Sequence, residues 1–267
     1  MKRIFAYCAI VFSLGACSIS QQQEVQMGQE YAAQINAQLP IVSDPEINRY
    51  LNLLGDEIAR LTPRADLDWR FYMVDAAEVN AFAVPGGYVY VNRGLVERTD
   101  EMSELAGVLG HEIGHVVMRH TVKQMEKAQG ANVGVTLACV LTNVCNSQVA
   151  QAGINIAGSA VFARFSRQDE AEADQVGFDN VVRAGISPVG MATMFQKLIE
   201  ERKTHPSAVE GWFATHPLEE DRLAAVQARI NQLGSSRLAS LRRNSSNYNT
   251  FRARVRSLPP SPRPRTQ

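Results

Sequence analysis

The sequence predicts an α+β domain, mainly helical, with one small β-sheet. Three observations predict it. Long stretches place apolar residues at helical spacing, notably 24–39 and 45–61. Alternating apolar stretches are few and short, confined to 69–74 and 79–91. The chain has 267 residues, of which 45% are hydrophobic, enough for one sizeable core. No internal repeat is evident.

The N-terminus is a targeting segment and falls outside fold reasoning. Lys2 and Arg3 precede an apolar run over 4–14, too short for a lasting transmembrane helix. Leu14-Gly15-Ala16-Cys17 then resembles a bacterial lipobox, which implies a signal peptide over 1–16 and lipidation of Cys17. Acyl chains would attach the chain to a membrane without a spanning helix. Ser18, in place of the aspartate that retains lipoproteins at the inner membrane, favours the periplasmic face of the outer membrane. Residues 17–23 form a linker, and the folded domain spans 24–234. Within it, Pro45 suits the first turn of a helix. Residues 69–74 form a strand. Residues 79–84 and 88–91 form a hairpin around Pro85-Gly86-Gly87. A helix follows over 101–119 with Asp100 as cap, another over 166–174, and a third from Ser187-Pro188 to about Arg202. Pro217 opens the last, which stops at Gly234. The Ser-, Arg- and Pro-rich stretch 235–267 is expected to be disordered.

The most informative stretch is His111-Glu112-Ile113-Gly114-His115. On a helix, residues four apart share a face. His111 and His115 therefore present two imidazoles to one metal, with Glu112 beside them as a base. A hydrolytic zinc takes three protein ligands and keeps a position for water. Glu170 and Asp174, four apart on the later helix, offer a third ligand and a hydrogen-bond partner for a ligand imidazole. Glu172 points elsewhere on that helix.

Four segments together resemble one family. They are Asn80-Ala81-Phe82-Ala83-Val84-Pro85-Gly86-Gly87, the H-E-x-x-H stretch continued to His120, Ser166-Arg167 with Glu170 and Asp174, and Thr215-His216-Pro217-Leu218 with Arg222. The chain resembles the zinc metallopeptidases that include the CAAX prenyl protease, the membrane protease HtpX and periplasmic lipoprotein proteases such as LoiP and BepA. The resemblance spans about residues 25–232. It implies a zincin-like fold, one zinc per chain held by His111, His115 and Glu170, and proteolytic activity. It implies Glu170, not Glu172, as the ligand. It also brings His216 near the metal, where two roles remain open: stabilising the oxyanion, or filling the open metal position at rest. In the resulting mechanism the metal polarises water and the scissile carbonyl, and Glu112 carries the proton. The strand Asn80, Ala81, Phe82, Ala83 would pair with an extended substrate. Unfolded or misassembled envelope proteins are the expected partners. A chaperone or assembly factor for outer-membrane proteins, with minor proteolysis, is the rival.

Charge is uneven although the formal net charge is zero. Eight arginines and no acid lie in 235–267, so the other residues carry 19 Lys and Arg against 27 Asp and Glu. That balance excludes a nucleic-acid-binding core. Cys139 and Cys145 are six residues apart, which permits a disulfide if the chain bends between them, or two free thiols otherwise. They lie in a stretch, 128–163, without a charged residue. Buried helices are one reading of it, and a lid or client-facing surface the other.

Overall fold

A computed structural model describes residues 18–130, 164–217 and 220–262, with only the backbone at 128–130. The signal segment, Cys17, Cys139 and Cys145 lie outside the described residues, as does most of the uncharged stretch.

Helix α1 (Gln21–Gln38) starts at Ser20, whose hydroxyl accepts from the Gln23 N–H while Gln23 reaches back to the Ser20 N–H. Helix α2 (Pro45–Ala59) starts at Asp44, which accepts from the Glu46 and Ile47 N–H groups, with Pro45 in the first turn as expected. Strands β1 (Arg70–Val74), β2 (Ala81–Val84) and β3 (Tyr88–Asn92) form one sheet in the order β1-β3-β2. β2 and β3 are the antiparallel hairpin, with Phe82 opposite Tyr90, and β1 pairs parallel to β3. Strand β2 is therefore an edge.

A short helix α3 (Arg93–Arg98) leads to α4 (Met102–Val117), the helix of the H-E-x-x-H stretch. Its start corrects one expectation. Asp100 does not cap it. The Glu104 carboxylate accepts from the Asp100 and Glu101 N–H groups, and Asp100 instead pairs with Lys197 at 2.6 Å. Its end corrects another. The helix does not run on to Arg119, because Arg119 adopts φ 58°. That left-handed residue is held by Glu24, whose buried carboxylate accepts from Arg119 at 2.8 Å and from Arg64 at 2.6 Å. The chain turns there into α5 (His120–Gly130).

Helix α6 (Arg167–Arg183) is capped by Ser166 in a box with Asp169. Helices α7 (Val189–Thr204) and α8 (Pro206–Thr215) follow, and α8 was not expected from the sequence. Pro217 lies two residues beyond α8, and residues 218 and 219 lie outside the described residues. It precedes α9 (Glu220–Ala239), and its carbonyl accepts from Arg222. Gly234, at φ 74° and ψ 157°, ends the helical run that starts at Glu220, as expected, and a second helical run follows it within α9. The described part of the tail is not disordered. Helix α10 (Ser246–Arg256) buries Tyr248, Phe251 and Val255, and Phe251 stacks on Tyr50 at 4.5 Å. Spacings of three and four residues put these side chains on one stripe, which outweighs the polar composition around them.

The core lies where α4 passes between the sheet, α2, α6 and α7. It includes Ile47, Leu51 and Ile58 of α2, Phe71 and Met73 of β1, and Leu105, Leu109 and Ile113 of α4. Among the described residues no helix is long and apolar enough to cross a membrane.

Candidate metal centre

Helices α4 and α6 touch backbone to backbone. A Cβ on Gly177 would lie 2.7–2.8 Å from backbone atoms of Gly110 and His111, and one on Gly114 would lie 2.6 Å from the Ala173 carbonyl oxygen. Only glycine permits that approach. It brings the imidazoles of α4 onto the carboxylates of α6.

His111 and His115 of α4, Glu170 of α6 and His216 after α8 converge, with one donor atom of each within 4.8 Å of the others. His115 Nε2 lies 3.0 Å from His111 Nε2 and 3.3 Å from Glu170 Oε1. His216 Nδ1 lies 3.3 Å from His111 Nε2 and 3.1 Å from Glu170 Oε1. His111 Nδ1 lies 2.8 Å from the Asp174 carboxylate, so it carries the proton there and its Nε2 lone pair faces the cluster. Lone pairs gathered this closely repel unless a cation sits among them. The donor set fits a metal ion.

The carboxylates are balanced from behind. Arg222 of α9 grips Asp174 with two bonds of 2.7 Å and also donates to Glu170 Oε2. Burial alone would raise the Glu170 pKa, but His216 and Arg222 hold it well below the usual carboxylate range. Burial likewise opposes ionisation of Asp174, and Arg222 overcomes it. Burial drives the His115 imidazole well below its usual value, which favours a neutral ligand. Burial would also lower His216, but Glu170 and Glu112 raise it.

Glu112 stands apart from the donors. It is fully buried, and neither carboxylate oxygen has a hydrogen-bond partner among the described residues. His216 Nε2 lies 3.5 Å from its Oε1. Burial pushes its pKa up. Phe165 stacks on His115 at 3.9 Å, and Trp212 packs on His216 at 4.7 Å. The Phe165 N–H donates to the Thr215 carbonyl, tying the start of α6 to the residue before His216. The described residues of the centre are buried from solvent.

A family model, Peptidase family M48, matches residues 45–230. The chain belongs to that family. It is 35% identical to the beta-barrel assembly-enhancing protease of Yersinia pestis, over 83% of this chain and 46% of the relative. It is 30% identical to the metalloprotease LoiP of Escherichia coli K12, over 82% of this chain and 85% of the relative. It is 33% identical to the metalloprotease YcaL of the same strain, over 61% and 62%. The chain spans about half the length of the beta-barrel assembly-enhancing proteases it matches. Peptidase family M48 is the family that the sequence motifs resembled.

The structure brings several of the residues singled out in the sequence together. His111, His115, Glu170, Asp174, Glu112 and His216 meet at one place. Asn80 precedes β2, its carbonyl bonds to the Asn92 N–H, and its carboxamide lies beside Gly211 of α8. Ladder alternation then turns the backbone groups of Ala81 and Ala83 away from β3, and those of Phe82 towards it. Sequence reasoning missed Phe165 and Trp212, which have no motif. It also left His120 without a role and set Glu172 aside. Yet His120 Nδ1 lies 2.9 Å from His115 Nδ1, and His120 Nε2 lies 3.2 Å from Glu172 Oε2.

Proposed function

We propose that this protein is a zinc-dependent endopeptidase of the bacterial envelope that removes unfolded or unassembled envelope proteins. The observation that carries the reading is Glu112, a buried carboxylate with no hydrogen-bond partner among the described residues, beside a converging His-His-Glu donor set. Zinc suits the set, since ligands about 2.0–2.1 Å from a tetrahedral zinc lie about 3.3 Å apart. The 3.0 Å between the two Nε2 atoms and the 3.3 Å from His115 Nε2 to Glu170 Oε1 support that choice. Bound there, zinc would supply Lewis acidity that acidifies water and polarises a carbonyl.

The residues supply the rest. Glu112 takes the proton of the attacking water and delivers it to the leaving amine. Its raised pKa suits a base that must also act as an acid near neutral pH. Arg222 and Asp174 hold Glu170 and His111 in place. The backbone groups of Ala81 and Ala83 that face away from β3 take an extended substrate as a fourth strand, read mainly by its main chain, which suits clients of varied sequence. Those residues are buried, so the edge must be uncovered first. His216 acts as a gate, because its Nδ1 lies among the donors where substrate and water need room. Clients in β-barrel assembly fit the printed names of the beta-barrel assembly-enhancing proteases. Lipid on Cys17 attaches the protein to the outer membrane on its periplasmic side, which labelled palmitate and the Cys17→Ala variant would test.

The deciding experiment incubates the mature protein, with and without chelator, with unfolded casein and with a stalled outer-membrane barrel protein. Glu112→Gln should keep zinc and fold while losing about 10² to 10⁴ in rate. Activity within a few-fold of wild type rules the role out. A buried centre also favours a latent protease that assists assembly, and a biological effect surviving Glu112→Gln would select that reading.

A further inference from the structure

His120 is fully buried, ionisable and unused by the mechanism above. It stands five residues after His115. On a continuous helix, five positions at roughly 100° each would turn it about 140° away from the ligand face. The left-handed Arg119 breaks the helix instead and folds His120 back onto His115. The contact joins the two Nδ1 atoms at 2.9 Å.

We propose that Glu172 and His120 form a relay that positions His115 for the metal. The inference rests on the reading of His111, His115 and Glu170 as metal ligands. A ligating His115 offers its Nε2 lone pair, so its proton must sit on Nδ1 and needs an acceptor. Among the described residues no carboxylate or carbonyl bonds to His115 Nδ1; the acceptor is His120 Nδ1. A neutral His120 that accepts at Nδ1 must carry its own proton on Nε2. That atom faces Glu172 Oε2 at 3.2 Å, with Asp169 Oδ1 further off at 3.7 Å. Glu172 is steadied by Gln168, which donates to its other oxygen at 2.9 Å. One tautomer thus fixes the next. Helix α6 then backs both histidine ligands: His111 directly through Asp174, and His115 through His120 by Glu172. Neither relay residue touches substrate or metal, so both are positioning residues.

The test measures zinc affinity by competition with a chelator, and the visible spectrum of the Co(II)-loaded protein. The protein is full-length and mature, with circular dichroism as the fold check. His120→Phe fills the space without an acceptor and should weaken zinc binding about 10- to 100-fold and alter the Co(II) spectrum. His120→Asn restores an acceptor oxygen beside His115 and should bind within about threefold of wild type, on the scale of one retained hydrogen bond. Glu172→Ala, at a partly exposed position, should fall between the two. Zinc bound equally by His120→Phe and wild type overturns the relay, as does His120→Asn binding as weakly as His120→Phe. Should His120→Phe fail to fold, unchanged affinity in Glu172→Ala overturns it. A wild type that takes up no zinc overturns the metal reading as well.

Discussion

Arg222 shows how much of this centre depends on one side chain. It is 7% exposed and faces two carboxylates that are buried with it. Its guanidinium fork matches Asp174 with two parallel bonds, a geometry lysine cannot copy. Removing one partner of a buried charge network leaves the others uncompensated, at about 3–5 kcal/mol. Arg222→Leu should therefore lower the unfolding free energy by that order in the metal-free protein, read by denaturant unfolding. A loss below about 1 kcal/mol, the scale of exposed pairs, would remove it from this role. His216 invites the opposite kind of test, because its two roles predict opposite signs. As a gate, its loss frees the cluster, and His216→Ala should cleave casein faster than wild type at equal zinc occupancy. A fall of about 10² to 10³, the scale of a lost oxyanion donor, would replace the gate by an oxyanion role. The sequence made most of these residues legible because the candidate ligands recur at helical spacing. Phe165, Trp212 and the relay through His120 were not legible, because each depends on where a break or a loop returns the chain.

Between elements, the decisive contact is the crossing of α4 and α6. Gly110 and Gly177 bring the two backbones together, and that closeness sets the reach from His111 and His115 to Glu170 and Asp174. A methyl group at Gly177 would meet backbone, which cannot rotate away. Gly177→Ala should therefore push α6 outward, cost about 1–3 kcal/mol as overpacking, and weaken metal binding. Metal affinity equal to wild type would separate the crossing from the site. Helix α10 teaches the reverse lesson about composition. Eight arginines among serines and prolines suggested disorder in 235–267. In the fold Arg254 pairs with Asp44 at 2.8 Å and Arg252 with Asp100, while Tyr248, Phe251 and Val255 face inward. Composition averages over a stripe that is only three residues wide. Phe251→Ala should lose about 3–5 kcal/mol if that stripe is core. A change under 1 kcal/mol in the urea midpoint would return the tail to a dispensable status. The hairpin and α2 were legible because their turn and capping residues are local; the break at Arg119 was not, since its cause, Glu24, lies 95 residues away.

Across the described residues, the donor cluster is shut off from solvent. His111, Glu112, His115, Glu170 and His216 are each no more than 2% exposed, and the β2 edge is buried with them. An extended peptide needs both the edge and the centre, so catalysis requires a state with more surface exposed than this one. Chelators need the same access. Local opening of this kind has a free energy smaller than global unfolding and exposes less surface. Denaturant sensitivity scales with the surface exposed. The rate of zinc loss to excess chelator should therefore rise with urea well below the unfolding midpoint, with a slope positive but smaller than that of global unfolding. This holds whether opening or capture by the chelator limits the rate, because urea shifts the opening equilibrium in one case and its rate in the other. His216→Ala removes a donor that bridges Glu170 and His111 across the closed site, so it should raise the rate without urea and leave the slope nearly unchanged. A rate indifferent to urea up to the midpoint would mean the metal is reached without opening. The gate would then have to lie in His216 alone and not in the fold around it.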